Sequence, residues 1–257
     1  MRIINFSADG IRSAAKNGFY DWLKNQDADI VCIQDLRAQE YDLVEDIFFP
    51  QGYFCYFFDN YENQNGVAIY TRKLPKAIMT GLGSVDHDAE ARFIQADFDE
   101  ISIGSILAPS ASLDNPSSME HKAQFFDHLH AHLDKIRNKR REFIFAGNWQ
   151  IAHDERDVQQ LNGDDKVGFL LEERRWFDDV IHQLGYADAF REVNNDNDEF
   201  SWWPEGNKND GMRVDFQLVS PGMKKHIEYG LIYKKQAFSS HAPVIMDYDF
   251  LLGEDEF

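Results

Sequence analysis

Eight short apolar runs punctuate the chain, at residues 2–6, 30–33, 66–70, 93–98, 101–108, 143–146, 213–219 and 244–250. Each is rich in Ile, Val and Phe and is bounded by Gly, Asn, Asp or Ser, the pattern of strands. Between them lie segments of helical period, at residues 19–24, 118–136 and 171–184. In the longest, Phe125, Phe126, Leu129, Leu133 and Ile136 recur at helical spacing and form one apolar stripe. Such a stripe predicts a helix packed by that face on a core. Strands and helices that alternate in this way indicate an α/β fold.

Polar clusters follow directly after several of the strand runs: Ser7 to Asp9, Gln34 to Arg37, Asn148 to Gln150, and Ser239 to His241. Loops at strand ends are where α/β proteins place their chemistry. The clusters therefore have two readings, as walls of one pocket or as ordinary turns. With 43% hydrophobic residues, 21 of them Phe, the 257-residue chain has material for a sizeable core. No linker-like tract divides it, so the expectation is a single domain over 1–257, its last seven or so residues a flexible tail.

Charge narrows the partners. Against 45 acidic residues stand 26 basic ones, a net charge of −19. Phosphate backbones are held by clustered Lys and Arg, so tight autonomous binding to DNA or RNA is disfavoured. A local basic patch still has a use on such a chain. The densest cluster is Lys135, Arg137, Lys139, Arg140 and Arg141, with weaker ones at Arg72, Lys73 and Lys76 and at Lys224 and Lys225. A charge run is also simply a solvated face, and both readings stand. The opening MRIINFS enters a strand without an apolar leader, and no run is long enough to span a membrane. Cys32 and Cys55 read as reduced core residues, and the expectation is a cytoplasmic protein.

In chain order the motifs FSADGIR (6–12), IQDLR (33–37), GVAI (66–69), GNWQIAH (147–153), GYADAFR (185–191), FSWW (200–203), GMRVDFQLVS (211–220) and SSHAPV (239–244) resemble those of the exonuclease III family of endonuclease/exonuclease/phosphatase enzymes. The resemblance implies a four-layer α/β sandwich, two central mixed β-sheets flanked by helices, with the site at one end. It also implies a Mg²⁺-dependent phosphodiesterase site, and here the residues depart. The family's metal-holding Asn and Glu are matched by Ser7 and Asp35. The water-orienting Asp is Asn148, whose amide cannot accept a proton at neutral pH. The phosphate-side Asn is Gln150, the Asp of the last motif is Ser240, and the transition-state Tyr falls on Leu107. Asp215 and His241, a carboxylate–histidine pair in the family, persist, as catalytic groups or as a buried pair that cannot lose one partner cheaply.

Hard cations want carboxylate oxygens, and at the family's positions only Asp35 and Asp215 supply them. The expectation is therefore a degenerate pocket without a metal cofactor, in a protein that is not an enzyme. The runs QDLRA, NKRRE, FSWWP and HAPVIMDYD also resemble the catabolite repression control branch of the family. That resemblance implies a translational regulator acting jointly with the RNA chaperone Hfq on A-rich messenger RNA. The basic residues above, Lys135 to Arg141 with Lys224 and Lys225, would then be the contact surface. The alternative is a divergent Mg²⁺-dependent nuclease working through Asp35, Asp215 and His241.

Overall fold

The computed structural model describes residues 1–160, 166–205 and 207–253. Of the expected C-terminal tail, residues 254–257 lie outside the described residues. Twelve strands form two six-stranded mixed sheets. In the first, the strands are β1 (Arg2–Ser7), β2 (Ile30–Gln34), β3 (Phe54–Phe58), β4 (Val67–Thr71), β11 (Ile227–Ile232) and β12 (Val244–Tyr248), in the order β11-β12-β1-β2-β4-β3. The second contains β5 (Ala77–Thr80), β6 (Phe93–Asp97), β7 (Ile101–Leu107), β8 (Glu142–Asn148), β9 (Ala187–Asp188) and β10 (Asp215–Val219), in the order β5-β6-β7-β8-β10-β9.

All eight strands expected from the sequence lie inside the sheets, and the four missed ones, β3, β5, β9 and β11, are the four edges. Interior strands are covered on both faces, so their sequences are nearly continuous apolar runs. Three of the edge strands are half-exposed, and the fourth has only two residues. Their sequences carry no clear period, which is why they were not legible.

The sheets pack face to face through Ile3, Ile30, Cys32, Ile69, Ile94, Ile103, Ile144 and Val244. Outside the first sheet, α1 (Ile11–Lys16) and α2 (Phe19–Leu23) bury Ile11, Phe19 and Leu23 against Ile4, Phe6 and Val31. Outside the second, α4 (Pro116–Ile136) and α5 (Leu171–His182) cover Phe93, Ile106, Phe143 and Phe145. The predicted stripe of α4 is buried along its length. Its helix starts two residues before the expected point, because Asn115 caps the Ser118 amide and Pro116 occupies the first turn. Helix, sheet, sheet and helix make the four-layer α/β sandwich that the sequence implied. Two further short helices, α3 (Val85–Ala89) and α6 (Ala189–Val193), fill connections. Neither cysteine is in a disulfide, and Cys32 is fully buried. Among the described residues no helix is long and apolar enough to cross a membrane.

The topology decides where side chains meet. β1 and β2 run parallel, as do β7 and β8, so Ser7 with Gln34 and Leu107 with Asn148 reach the same end of the sandwich. β10 runs antiparallel to β8 and sets Asp215 opposite Asn148. At that end β7 and β8 approach so closely that a Cβ on Gly147 would meet the Ile106 carbonyl oxygen at 2.5 Å. A glycine immediately before Asn148 is therefore a condition of this strand pairing.

Candidate active site

A cavity of about 390 Å³ opens where these strand ends converge. Its floor is polar and ties the two sheets together. The Gln34 amide donates to Ser105 Oγ (2.9 Å), and the Asn5 amide donates to the Gly147 carbonyl (3.0 Å). Above this floor, Asn148 Nδ2 donates to Ser7 Oγ (3.1 Å), while Asn148 Oδ1 accepts the Gln150 N–H (3.2 Å). Trp149, fully buried, anchors the loop through its indole N–H to the Phe216 carbonyl. Lys122 on α4 holds the Gln150 carbonyl at 2.8 Å and is itself paired with Glu173. His153, at the end of the same motif, turns away from the cavity to Asp178 (2.9 Å).

His241 lines the cavity, with Nδ1 2.8 Å from Asp215 Oδ2. Asp215 is buried to 1% exposure, and the same oxygen accepts from Ser201 Oγ at 2.6 Å. Burial alone would lower the imidazole's proton affinity, but Asp215, and behind it Asp9 and Asp35, hold it above the usual histidine range. Since Nδ1 is taken, Nε2 is the nitrogen left to meet a ligand. Trp202, whose ring lies 6.2 Å from the imidazole, closes one side.

All eight pocket positions marked in the sequence come together here. Asp35, Leu107, Asn148, Gln150 and His241 line the cavity, while Ser7, Asp215 and Ser240 support them from behind. At the family's positions Asp35 and Asp215 are the carboxylates present, and the structure adds one from outside them. Asp9 also lines the cavity, and its Oδ2 accepts both the backbone N–H and the hydroxyl of Ser240. A carboxylate thus reaches the region of the missing acidic residue from another loop, 231 residues away in the chain. Burial pushes the Asp9 carboxyl up, but His241 and Ser240 more than reverse this and hold it below the usual carboxylate range. Asp35 is pushed the other way, burial outweighing its bonds to Arg37.

Arg37, at the end of the Gln34 to Arg37 cluster, also lines the cavity, as does Arg92, which no sequence cluster marks. Arg37 binds Asp35 in a fork, Nε to Oδ1 at 3.0 Å and Nη2 to Oδ2 at 2.6 Å, and its Nη2 lies 3.6 Å from Asp9 Oδ1. Backbone strain concentrates at the same place. Nine non-glycine residues among those described have positive φ, and six of them, Asp9, Asp35, Arg37, Asn63, Asn65 and Gln150, line this cavity. Costs of about 1–3 kcal/mol per strained residue cluster at functional sites.

The donors do not fit a resident Mg²⁺. Both Asp35 oxygens are engaged by Arg37, Asp9 is committed to Ser240, and Asn148 Oδ1 is used by Gln150. Among the described residues no group of three or more His, Cys, Asp or Glu side chains is placed to hold a metal ion.

The basic cluster lies elsewhere, where α4 ends and β8 begins. Asn148 is at the far end of that seven-residue strand, about 20 Å away at the rise of a strand. Arg137 pairs with Asp134, and Arg141 turns onto the Phe98 and Ile101 carbonyls. Lys224 is paired with Glu192. Lys135, Lys139, Arg140 and Lys225 are exposed and form no ion pair among the described residues.

A match to the Endonuclease/Exonuclease/phosphatase family over residues 5–236 agrees with the fold and the strand-end cavity, and the chain belongs to that family. It is similar to an exodeoxyribonuclease of Bacillus subtilis, with 28% identity over 256 residues, 95% of this chain and 98% of the relative. A DNA-(apurinic or apyrimidinic site) endonuclease of Dictyostelium discoideum is 26% identical over 253 residues, 95% of this chain and 69% of that protein. Among solved structures, an AP endonuclease from Archaeoglobus fulgidus superposes with a TM-score of 0.87 at 23% identity, covering 97% of this chain and 100% of that one. These relatives overturn the expectation that the chain is not an enzyme, since they match along almost its whole length and are named for nucleolytic reactions.

Proposed function

We propose that this protein is a nucleic-acid phosphoesterase that cleaves DNA, in the manner of the exodeoxyribonucleases and apurinic endonucleases to which it is similar. One observation carries the reading: a buried Asp215–His241 pair sets an imidazole, its proton affinity raised by the carboxylate, at a polar cavity at the strand ends. Phosphoester cleavage places negative charge on phosphoryl oxygens, and fixed donors aimed at that charge lower the barrier. His241 Nε2 is such a donor, and Gln150 lines the same cavity. Asp9 and Asp35 face the same cavity with proton affinities moved in opposite directions. The experiment is turnover of duplex DNA carrying an abasic site, or a recessed 3′ end, by tag-free protein at low salt, with Mg²⁺, with Mn²⁺ and with EDTA. Strand cleavage under any of these conditions is the expected result, and none on either substrate rejects the reading. Low salt matters because an acidic chain gains little from the phosphate backbone.

A second reading concerns partners and is favoured by Lys135, Lys139 and Arg140, exposed cations on a chain of net charge −19. It is joint assembly with the RNA chaperone Hfq on A-rich messenger RNA, as the catabolite repression control branch implies. The double change Lys139→Glu, Arg140→Glu should then weaken the ternary complex in a gel shift while leaving the melting temperature in place. Arg141 is not a suitable probe, because its guanidinium holds the Phe98 and Ile101 carbonyls. Unchanged assembly of the double variant would remove that surface from consideration.

A further inference from the structure

We propose that the Arg37 guanidinium is the resident cation of this cavity, occupying the ground between Asp35 and Asp9 that a divalent metal ion would need. The inference rests on the phosphoesterase reading only for the identity of the anion that Arg37 would meet. The fork to Asp35 uses two parallel N–H donors, the geometry in which guanidinium and carboxylate match best. Asp9 Oδ1, 3.6 Å from the same Nη2, faces the guanidinium from the other side. A Mg²⁺ ion demands near-octahedral oxygen ligation at about 2.0–2.1 Å, and the two carboxylates cannot supply it while Arg37 lies between them.

The backbone is arranged to keep the group there. Asp35 and Arg37 both have positive φ, at 56° and 47°, as does Asp9 at 49°. The Arg37 N–H is fixed on the Asn65 carbonyl, and Gly10 N–H is fixed on the Asp35 carbonyl. The two loops that carry the carboxylates are thereby bonded to each other around the guanidinium. Arg37 remains half-exposed, with 53% of its side chain open. Its outer edge is thus free to contact a phosphate oxygen, which a fully buried ion pair could not do.

The test is binding of Mn²⁺ alone, followed by electron paramagnetic resonance, to the full-length wild type, to Arg37→Met and to the double variant Arg37→Met, Asp35→Asn. Removing the guanidinium frees both oxygens of Asp35 and Oδ1 of Asp9, so Arg37→Met should bind Mn²⁺ about tenfold or more tightly than the wild type. The added Asp35→Asn change should abolish that gain. If Arg37→Met does not fold, Arg37→Gln takes its place. Equal Mn²⁺ binding by wild type and the Arg37 variant, whether present or absent, overturns the proposal, as does a gain that survives Asp35→Asn. Because no turnover is needed, failure here leaves the DNA-cleavage reading standing, and failure of the cleavage assay leaves this result untouched.

Discussion

Asp215→Asn should lower DNA turnover by about 10²–10⁴, the usual contribution of a positioned acid or base, while the fold survives. The carboxylate has two tasks that the amide cannot perform. It fixes His241 through Nδ1, leaving Nε2 for the phosphoryl oxygen, and it stabilises the imidazolium. With a neutral amide in its place, the ring loses its charged partner inside a buried site. The pH profile separates this from simple damage. In the wild type His241 is held above its ordinary value, so a step that needs the imidazolium persists to higher pH than a free imidazole would allow and falls as pH rises through the raised value. In Asp215→Asn the falling limb should move to lower pH. Stability follows the same sign: the pair's contribution is complete below the unfolded value near 6.5 and is lost as pH rises through the folded one. Identical falling limbs in the two proteins would show that His241 does not act as a cation in the reaction.

What was legible in the sequence follows from burial. The eight interior strands announced themselves because both faces are covered, and α4 because its stripe repeats for most of 21 residues. The edges β3, β5 and β11 are partly solvated and carry no clear period that marks them as strands. The site shows the same division. Ser7, Asn148, Asp215 and His241 stand at strand ends, where motif order alone places them together. Asp9 and Arg37 act across loops: Asp9 on Ser240 and Arg37 on Asp9, neither pair being neighbours in any strand register. No periodicity encodes such contacts, and a motif comparison that scores position 240 by itself has no means of finding the carboxylate that Ser240 bonds. Arg37 did carry a signal, since it stands in IQDLR where the family motif also has a basic residue, but its bond to Asp35 depends on two left-handed backbone angles.

Asp157→Asn should destabilise the protein by about 3–5 kcal/mol, the cost of removing one partner from a buried ionic network. Asp157 is fully buried and accepts Arg213 Nε and Nη2 at 2.8 and 2.9 Å and Arg191 Nη2 at 2.5 Å. Arg213 also reaches Asp188 at 2.6 Å and stacks on the Phe216 ring, 4.1 Å from its centroid. Without the Asp157 charge, the buried Arg213 keeps only Asp188 as an anionic partner, and Arg191 is left with the Asn194 and Asp196 carbonyls. Burial pushes the Asp157 carboxyl up, yet the two arginines bring it down to about 2. Its stabilising contribution is therefore complete above the unfolded value near 3.9 and is lost as pH falls through about 2. Denaturant unfolding measured at pH 7 and again near pH 3 should show a gap between wild type and Asp157→Asn that narrows toward acid. A gap of the same size at both values would assign the loss to packing instead. The network also bears on catalysis, because Arg213 stands two residues before Asp215 and its N–H is held by the Asp157 carbonyl. Conditions that leave Asp157→Asn folded should still show slowed turnover, with the pH limb of His241 unmoved, since the carboxylate fork on Arg213, two residues before Asp215, is broken while the backbone bond and the pair itself are intact.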